Sequence, residues 1–407
     1  MRVEKENISE LFGIQGWTVT HFHHVCWGVV FDMARERHSG YVCGKCGEVL
    51  MFVYDHCPER IVRDFPVWGR RSFLRFRQAR VDCPKCGVVQ ERLDWVEPYQ
   101  HMTVRYEKYL ASLCDFMPVS DVSEIEGVCK DTLYRIDKKW LQWRRQFAVD
   151  EPVRLLGIDE IAVGKRSNFA TVFYDLEHSR VVALVKGRKQ RNASHVLRKW
   201  GRERCLAVEA VCCDLWAAFH NSVRLYLKNA TLVFDKFHVF KYLSDAIDEV
   251  RRSEQAKAEE DGRQILKGAR WILLKKNLRL KERRTLQEIM RLNEPIAKAM
   301  VLKEEFELFY QAETSEEALE VLVEWCGKCR ESGLKPFTKL AKRLMRWKDG
   351  ILAYFKCRIT NAISEGVNNK IKVIKRRSYG FHDVDYFFNK ILQATGTLPK
   401  MLSICNP

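Results

Sequence analysis

The fold is decided by residues 154–185, where three short apolar runs follow one another: LLGID (155–159), FATVFY (169–174) and VVALV (181–185). Runs of this length that are rich in Val, Ile, Phe and Thr are typical of strands, and their close spacing predicts a β-meander. Two more apolar runs, VEAVCC (208–213) and TLVF (231–234), alternate with helical stretches near 192–201 and 216–227. Strands that alternate with helices predict an α/β sheet.

Outside this sheet the pattern changes in both directions. Beyond about residue 240 the strand signal ends, and residues rich in Lys, Arg, Glu, Leu and Ala predict helices to about residue 355. Upstream, residues 10–95 predict short strands, as in FLRFR (73–77), where apolar and basic residues alternate. A helical pattern follows from about 100 to 145, and Pro152 marks the boundary before the meander. The chain therefore divides into several modules.

Two aspartates end apolar runs of the predicted sheet. Asp159 follows LLGI, and Asp214 follows VCC at 211–213. Strands that each end in an Asp place carboxylates at one edge of the sheet, where a hard divalent cation can be held between them.

A third carboxylate, Glu365, lies in the stretch TNAISEGVNNKIK (360–372). We expect Asn361 to cap a helix here, which places Glu365, Asn368, Asn369 and Lys372 on one face. A solvated helix face with an intrahelical pair would explain the same pattern if this helix stood alone.

Two matched hooks, CGKCG (43–47) and CPKCG (83–87), predict a structural zinc site. Cys43, Cys46, Cys83 and Cys86 supply the four thiolates of a closed tetrahedral site, and the Gly after each hook permits a tight turn. The alternative is four unrelated buried cysteines. The hooks lie far apart in sequence, so an intervening β-segment must bring them together, and we leave His56 and Cys57 out of the ligand set. Cys326 and Cys329 repeat the spacing without a partner hook and are predicted to be structural.

The segment VSDVSEIEGVCKDTLYRI (119–136) has the layout of a DNA-reading helix-turn-helix. On its second helix, Leu133, Ile136, Trp140 and Trp143 recur at spacings of three and four and are predicted to face a core. The outward residues, which we predict to contact DNA, are Lys130, Thr132, Tyr134, Arg135 and Lys138. The alternative is a three-helix spacer with a solvated basic face.

The composition agrees with a folded protein that binds a polyanion. The 407 residues carry a formal charge of +17 that is spread along the chain, which favours nucleic acid. A merely basic soluble protein, or one that binds anionic membrane surfaces, is the alternative on charge alone. The first seven residues lack the apolar core of a signal peptide, and no apolar run is long enough to cross a bilayer, so we expect reduced cysteines and a cytoplasmic location.

Taken together, these motifs resemble the DDE transposases of the RNase H-like fold, and specifically the ISL3 insertion-sequence family. The resemblance covers nearly the whole chain. It is carried by the cysteine hooks followed by the helix-turn-helix, and by GIDE (157–160), DLW (214–216), DKFHV (235–239), TNAISEGVNNKIK (360–372) and KRRSYGF (375–381).

The resemblance implies that Asp159, Asp214 and Glu365 are the metal-binding triad, and that an all-helical insertion separates the second Asp from the Glu. It implies supporting roles for Asp235, His238 and Lys372, and DNA binding by Lys372, Lys375, Arg376 and Arg377. Two Mg²⁺ ions, or Mn²⁺ in their place, would sit between the carboxylates.

The resemblance therefore predicts a multidomain α/β protein: a zinc module at 1–98, a helix-turn-helix at 99–150, an RNase H-like catalytic domain at 151–243 and 351–400, and a helical insertion at 244–350. The expected function is that of a bacterial insertion-sequence transposase. It would bind terminal inverted repeats and target DNA, and it would cut and join DNA strands as a homo-oligomer. No membrane partner is expected. An RNase H-like nuclease without strand transfer, or a zinc and helix-turn-helix regulator, is the alternative.

Overall fold

The computed structural model describes residues 12–36, 38–164, 168–215, 217–275 and 277–405. The chain forms two compact units: an N-terminal unit, Met1–Ala148 with Leu398–Pro407, and a second unit, Val149–Thr397. The N-terminal residues used to exclude a signal peptide, and Trp216 of the DLW motif, lie outside the described residues.

The N-terminal unit is built on a sheet with the strand order β1-β2-β6-β5, to which β7 adds by pairing with β6. The strands are β1 (Trp17–Val25), β2 (Gly28–Arg35), β5 (Asp55–Val67), β6 (Arg70–Cys83) and β7 (Gly87–Gln90), and a separate small hairpin is formed by β3 (Tyr41–Val42) and β4 (Val49–Leu50). The alternation predicted in 73–77 is confirmed, because Leu74 and Phe76 are buried in the core with Trp17, while Arg77 is exposed.

Three helices follow the sheet: α1 (Val104–Cys114), α2 (Val119–Glu126) and α3 (Lys130–Trp143). The side chain of Thr103 caps α1, and Gly127 ends α2 in the left-handed region at φ 61°, which is the turn that the sequence predicted. Leu133, Ile136 and Trp140 are buried as expected. A short 3₁₀ turn (Arg144–Phe147) follows α3.

The chain ends back in the N-terminal unit. The last of the described helices is Met401–Cys405, and the Met401 side chain packs in the core of the three-helix segment. The Arg144 side chain is fully buried with its Nη1 2.8 Å from Asp115 Oδ1, and Asp115 also accepts a hydrogen bond from the Met401 N–H. A buried arginine is stabilised only when it is paired in this way.

The second unit contains a mixed sheet with the order β10-β9-β8-β11-β12. Its strands are β8 (Leu155–Ala162), β9 (Phe169–Asp175), β10 (Arg180–Lys186), β11 (Ala210–Cys213) and β12 (Thr231–Phe234). The first three pair antiparallel, which confirms the predicted meander, and β11 joins both β8 and β12 in parallel. Helices α4 (Gln190–Leu206) and α5 (Ala217–Tyr226) provide the connections between the parallel strands.

Between residues 236 and 357, all the regular elements that the structure describes are helices. They are α6 (Lys236–Lys257), α7 (Glu260–Gly268), α8 (Arg270–Leu274), α9 (Leu280–Leu292), α10 (Glu294–Phe309), α11 (Ser315–Glu331), α12 (Lys335–Arg346) and α13 (Lys348–Cys357). Cys326 and Cys329 are buried in the apolar core of this region, as expected for structural cysteines. Two more helices, α14 (Ala362–Arg377) and α15 (Val384–Ala394), return to the sheet.

Within the described parts of the chain, we find no helix long and apolar enough to cross a membrane.

Candidate active site and cysteine cluster

Three aspartates come together because three neighbouring strands run parallel and pair in register. Ile158 of β8 pairs with Cys213 of β11, and Cys213 pairs with Phe234 of β12. The residue that follows each partner is an aspartate. Asp159 itself lies within β8, which continues to Ala162, so the prediction that it ends its strand is wrong. Asp159, Asp214 and Asp235 nevertheless lie side by side where the parallel pairing of the three strands ends. This edge of an open parallel sheet is where α/β proteins commonly place ligands.

His238 completes a cluster with two of these aspartates. Single ligand atoms of Asp159, Asp214 and His238 all lie within 4.8 Å of one another. His238 is in the first turn of α6, and its Nε2 lies 2.5 Å from Asp214 Oδ1. Atoms that share one small cation lie within about 4 Å of one another, so these groups fit an ion after small side-chain movements.

Burial and mutual repulsion set the charges of this cluster. Burial raises the pKa of Asp159, and the nearby charge of Asp214 raises it further. Burial likewise raises the pKa of Asp235. For His238 burial lowers the pKa, but the hydrogen bond to Asp214 and the surrounding carboxylates outweigh this effect, and the pKa is raised. Crowded carboxylates that resist ionisation are typical of a site that gains stability from a bound cation.

Glu365 lies on the helix that contacts this cluster, but its side chain is exposed and is not part of the cluster. The contact from α14 is made by Asn368, whose Nδ2 donates to Asp159 Oδ2 at 2.8 Å. Asn368 is in turn held by Tyr174, whose hydroxyl donates to Asn368 Oδ1 at 2.5 Å. Glu365 is one helical turn before Asn368.

The expected cap of this helix is only partly correct. Asn361 occupies the N-cap position, but its side chain makes no capping hydrogen bond to the helix backbone. Its Oδ1 instead accepts from the Ser364 hydroxyl at 3.4 Å, and its backbone N–H donates to Asp235 Oδ1 at 3.3 Å. Asn361 therefore ties the start of α14 to the carboxylate at the end of β12.

Gly157 lets α14 approach the sheet closely. A Cβ at this position would lie 2.8 Å from Leu176 Cδ2, 3.0 Å from Ser364 Oγ and 3.2 Å from Asn361 Oδ1. Leu176 and Ser364 are themselves buried and have little room to move. Gly157 thus sets the distance between β8, which carries Asp159, and α14, which carries Glu365.

We expect Gly157→Ala to slow the strand cleavage that the sequence resemblance predicts by roughly tenfold to a hundredfold, because a small displacement of α14 misplaces its polar groups relative to Asp159. The loss in unfolding free energy should stay near about 1–3 kcal/mol, the usual result of overpacking. Gly327→Ala is the matched control, since an added Cβ there meets nothing within 4 Å. Equal cleavage rates for the two variants would show that the spacing of α14 does not matter.

The basic residues predicted after Glu365 differ in exposure and in their contacts. Lys372, Arg376 and Arg377 are exposed, but the Lys375 ammonium donates to the Ala162 carbonyl at 3.0 Å. Lys372 donates to Asn369 Oδ1 at 3.2 Å. Lys375 thus joins the C-terminal half of α14 to the end of β8.

A cationic groove beside the cluster was not anticipated from the sequence. It has a volume of about 660 Å³, and its lining includes Leu215, the residue after Asp214, together with Asp245 and Glu249 of α6. One wall is the exposed face of α12, with Lys339, Lys342 and Arg343, and the Arg343 guanidinium lies 3.7 Å from the centre of the Tyr242 ring. The signal was present in the sequence, because these cations recur at helical spacing opposite the buried residues Phe337, Leu340, Ala341 and Leu344.

The two cysteine hooks meet in the N-terminal unit. The four Sγ atoms of Cys43, Cys46, Cys83 and Cys86 lie within 4.8 Å of one another. Strands β5 and β6 carry the chain out and back between the hooks, and the Gly44 N–H then donates to the Gln90 carbonyl at 3.1 Å. The intervening β-segment therefore brings the hooks together as predicted.

The backbone of each hook is shaped for a bound metal. Gly47 and Gly87 have φ of 80° and 71°, the left-handed conformation that the turn requires. Backbone N–H groups of Cys46 and Lys45 lower the pKa of the Cys43 thiol to about 6. Four close sulfurs with such donors fit a Zn²⁺ ion. His56 and Cys57 are on β5 and do not belong to the cluster.

The predicted DNA-reading residues lie on α3. Lys130, Tyr134 and Arg135 are exposed, while Thr132 and Lys138 are half-buried. Lys130 is the first residue of the helix. The exposed side chains are therefore concentrated in its first half, which is the part of a reading helix that reaches base edges.

Comparison with known proteins gives concordant matches. Residues 156–391 match the ISL3 family of DDE enzymes, described as a transposase, and residues 91–141 match the helix-turn-helix domain of transposase family ISL3. The chain is 31% identical over 363 residues to the transposase of insertion sequence element IS1001 from Bordetella parapertussis, covering 87% of this chain and 88% of the relative. It is 25% identical over 385 residues to the transposase of IS1557 from Mycobacterium tuberculosis, covering 86% and 85%.

Proposed function

Because the chain belongs to the ISL3 family of DDE transposases, we propose that Asp159, Asp214 and Glu365 hold two divalent ions, Mg²⁺ or Mn²⁺, at the strand ends. The observation that carries the proposal is the register of β8 and β11, which delivers two carboxylates to one point. Such ions, when bound, would activate a water and then a DNA 3′-hydroxyl for attack on phosphodiester bonds.

Glu365 is included because of its helix. It lies one turn before Asn368, and residues at this spacing lie about 5–6 Å apart on one face of a helix. Asn368 touches Asp159, so a Glu365 side chain that turns toward the sheet can reach the same site. Its exposure leaves it free to turn.

His238 and Asp235 are proposed as positioning residues. Carboxylate oxygens suit Mg²⁺ better than an imidazole does, so His238 is better explained as a partner of Asp214 than as a ligand. It pairs with one oxygen of Asp214 and leaves the other oxygen for an ion. Asp235 holds the first residues of α14 through the Asn361 backbone. Lys372 would lie on the DNA side of the same helix.

We propose the RNase H-like fold for the catalytic part, since an antiparallel meander followed by two parallel strands supports it. The helices of residues 244–350 would form the insertion between Asp214 and Glu365. The remaining boundaries are proposed as zinc module 1–98, helix-turn-helix 99–150, and catalytic segments 151–243 and 351–400.

The family and its helix-turn-helix domain imply DNA binding. We propose that the DNA comprises the terminal inverted repeats of an insertion sequence and a target duplex. Lys130, Thr132, Tyr134, Arg135 and Lys138 would read the repeats, and Lys372, Lys375, Arg376 and Arg377 would hold DNA at the catalytic site. Structural Zn²⁺ would occupy the cysteine cluster, and the active complex would be a homo-oligomer in the cytoplasm.

A strand-transfer assay tests this proposal. The purified full chain is incubated with Mg²⁺ or Mn²⁺, a supercoiled target plasmid, and duplexes taken from the DNA that flanks its gene. We expect covalent joining of the 3′ ends to the plasmid. Cleavage without joined products would favour a nuclease, and binding with neither product would favour a regulator.

A further inference from the structure

The tip of the β5–β6 hairpin has an unusual turn. Val67 pairs with Arg70, so the connection consists of Trp68 and Gly69 alone. Both residues have positive φ, 50° and 72° respectively, which is the type I′ arrangement. The first position of this turn strongly prefers Asn, Asp or Gly, and a bulky residue there is strained.

Trp68, the strained residue of this turn, is also exposed to solvent. Trp68 is 74% exposed, so little packing against the residues that the structure describes compensates for its conformation. Arg70 and Arg71 follow it, are exposed, and take part in no ion pair among the residues that the structure describes. A strained, exposed aromatic residue beside two cations suits a surface that contacts nucleic acid.

The hairpin tip lies beside the turn of the helix-turn-helix. The Arg63 guanidinium on β5 donates to the Glu126 carbonyl at 2.6 Å, and a Cβ built on Gly127 would lie 1.9 Å from Arg71 Nη2. Arg71 therefore rests on the turn that leads into α3. In a helix-turn-helix the start of the second helix enters the major groove, so this turn lies at the DNA surface.

We propose that Trp68, Arg70 and Arg71 form a second DNA-binding element, a hairpin tip that contacts duplex DNA next to the segment read by α3. The inference rests on the proposed function of α3. Arg70 and Arg71 hold phosphates, and Trp68 provides an apolar contact with sugars and base edges in the adjacent groove. The tip and α3 together lengthen the contacted segment of each DNA end.

Trp68→Asn tests the tip, because it should change stability and binding in opposite directions. Asn-Gly is the favoured type I′ turn, so the unfolding midpoint of the full chain should rise by about 2 °C. Affinity for a duplex from the DNA flanking the gene should fall about fivefold or more. Arg70→Ala should lower the slope of log affinity against log salt by about 0.9, the value for one phosphate contact.

Arg77→Ala is the matched control for charge. It removes an exposed arginine from the same strand, about 23 Å from Arg70 along β6, and should leave the salt slope unchanged. Unchanged affinity in both Trp68→Asn and Arg70→Ala would overturn the proposal. A change of oligomeric state by light scattering in Trp68→Asn would assign the tip to protein contact instead and would also overturn it.

Failure of this inference can be told apart from failure of the proposed function. The wild type and Arg135→Ala are measured against the same flanking duplex and a scrambled duplex. If the wild type prefers the flanking duplex and Arg135→Ala loses that preference, α3 reads DNA whatever the tip does. If the wild type shows no preference for the flanking duplex over the scrambled duplex, the proposal that α3 reads the terminal repeats is refuted, independently of the result for the hairpin tip.

Discussion

Asp159→Asn or Asp214→Asn should abolish strand cleavage, with a loss of roughly a thousandfold or more, while the affinity for DNA ends stays nearly unchanged. Each substitution removes a negative charge without changing the size of the side chain. The two residues are half-buried on adjacent strands, and neither an amide nor a water molecule restores the negative charge that is lost. Single-turnover cleavage and end binding are measured on the same preparations.

Stability separates this result from misfolding. Burial and the Asp214 charge raise the pKa of Asp159, so the ionised carboxylate destabilises the folded, metal-free protein. An amide removes that repulsion, and the metal-free Asp159→Asn protein should therefore unfold at a higher temperature than the wild type. An inactive Asp159→Asn protein that unfolds at a lower temperature than the wild type would argue against a ligand role for Asp159.

The same experiment decides the third ligand. Glu365→Gln should match the aspartate variants if Glu365 holds an ion, and His238→Gln should lose less activity if it only positions Asp214. Glu294→Gln, an exposed carboxylate that pairs with Lys298, is the control. A severe loss in His238→Gln together with an active Glu365→Gln would replace Glu365 by His238 in the ligand set.

Cys43→Ser or Cys83→Ser should remove about one zinc per chain and destabilise the N-terminal unit by about 5 kcal/mol or more. Four thiolates make one closed site, so the loss of either buried sulfur opens it. Metal content is measured by elemental analysis of the full chain, and unfolding is followed with and without a chelator.

Cys57→Ser is the matched control for the zinc prediction. Cys57 lies on the strand that leaves the first hook but outside the cluster, so its substitution should keep the zinc. Zinc content that is unchanged in Cys43→Ser and Cys83→Ser would refute the site. Loss of zinc without loss of stability would mean that the apolar core around Trp17 and Leu74 holds the unit together.

Local patterns were sufficient for much of this protein. Short apolar runs predicted the meander, and the repeated hooks predicted the cysteine cluster. The spacing of Leu133, Ile136 and Trp140 predicted the buried face of α3. These features depend on side-chain period and turn chemistry, which act between residues close in sequence. Asp159 and Asp214 were also predicted to share an edge, because each directly follows an apolar run in the sequence.

What the tertiary structure alone decided concerns contacts between distant segments. Strand register brought Asp235 beside Asp214, and the close approach allowed by Gly157 placed Asn368 on Asp159 while Glu365 faces solvent. The return of the C-terminal helix to the three-helix core and the position of Arg71 against Gly127 are likewise absent from any local pattern. A sequence period specifies which face of an element is buried, but the partner of that face depends on packing over the whole chain.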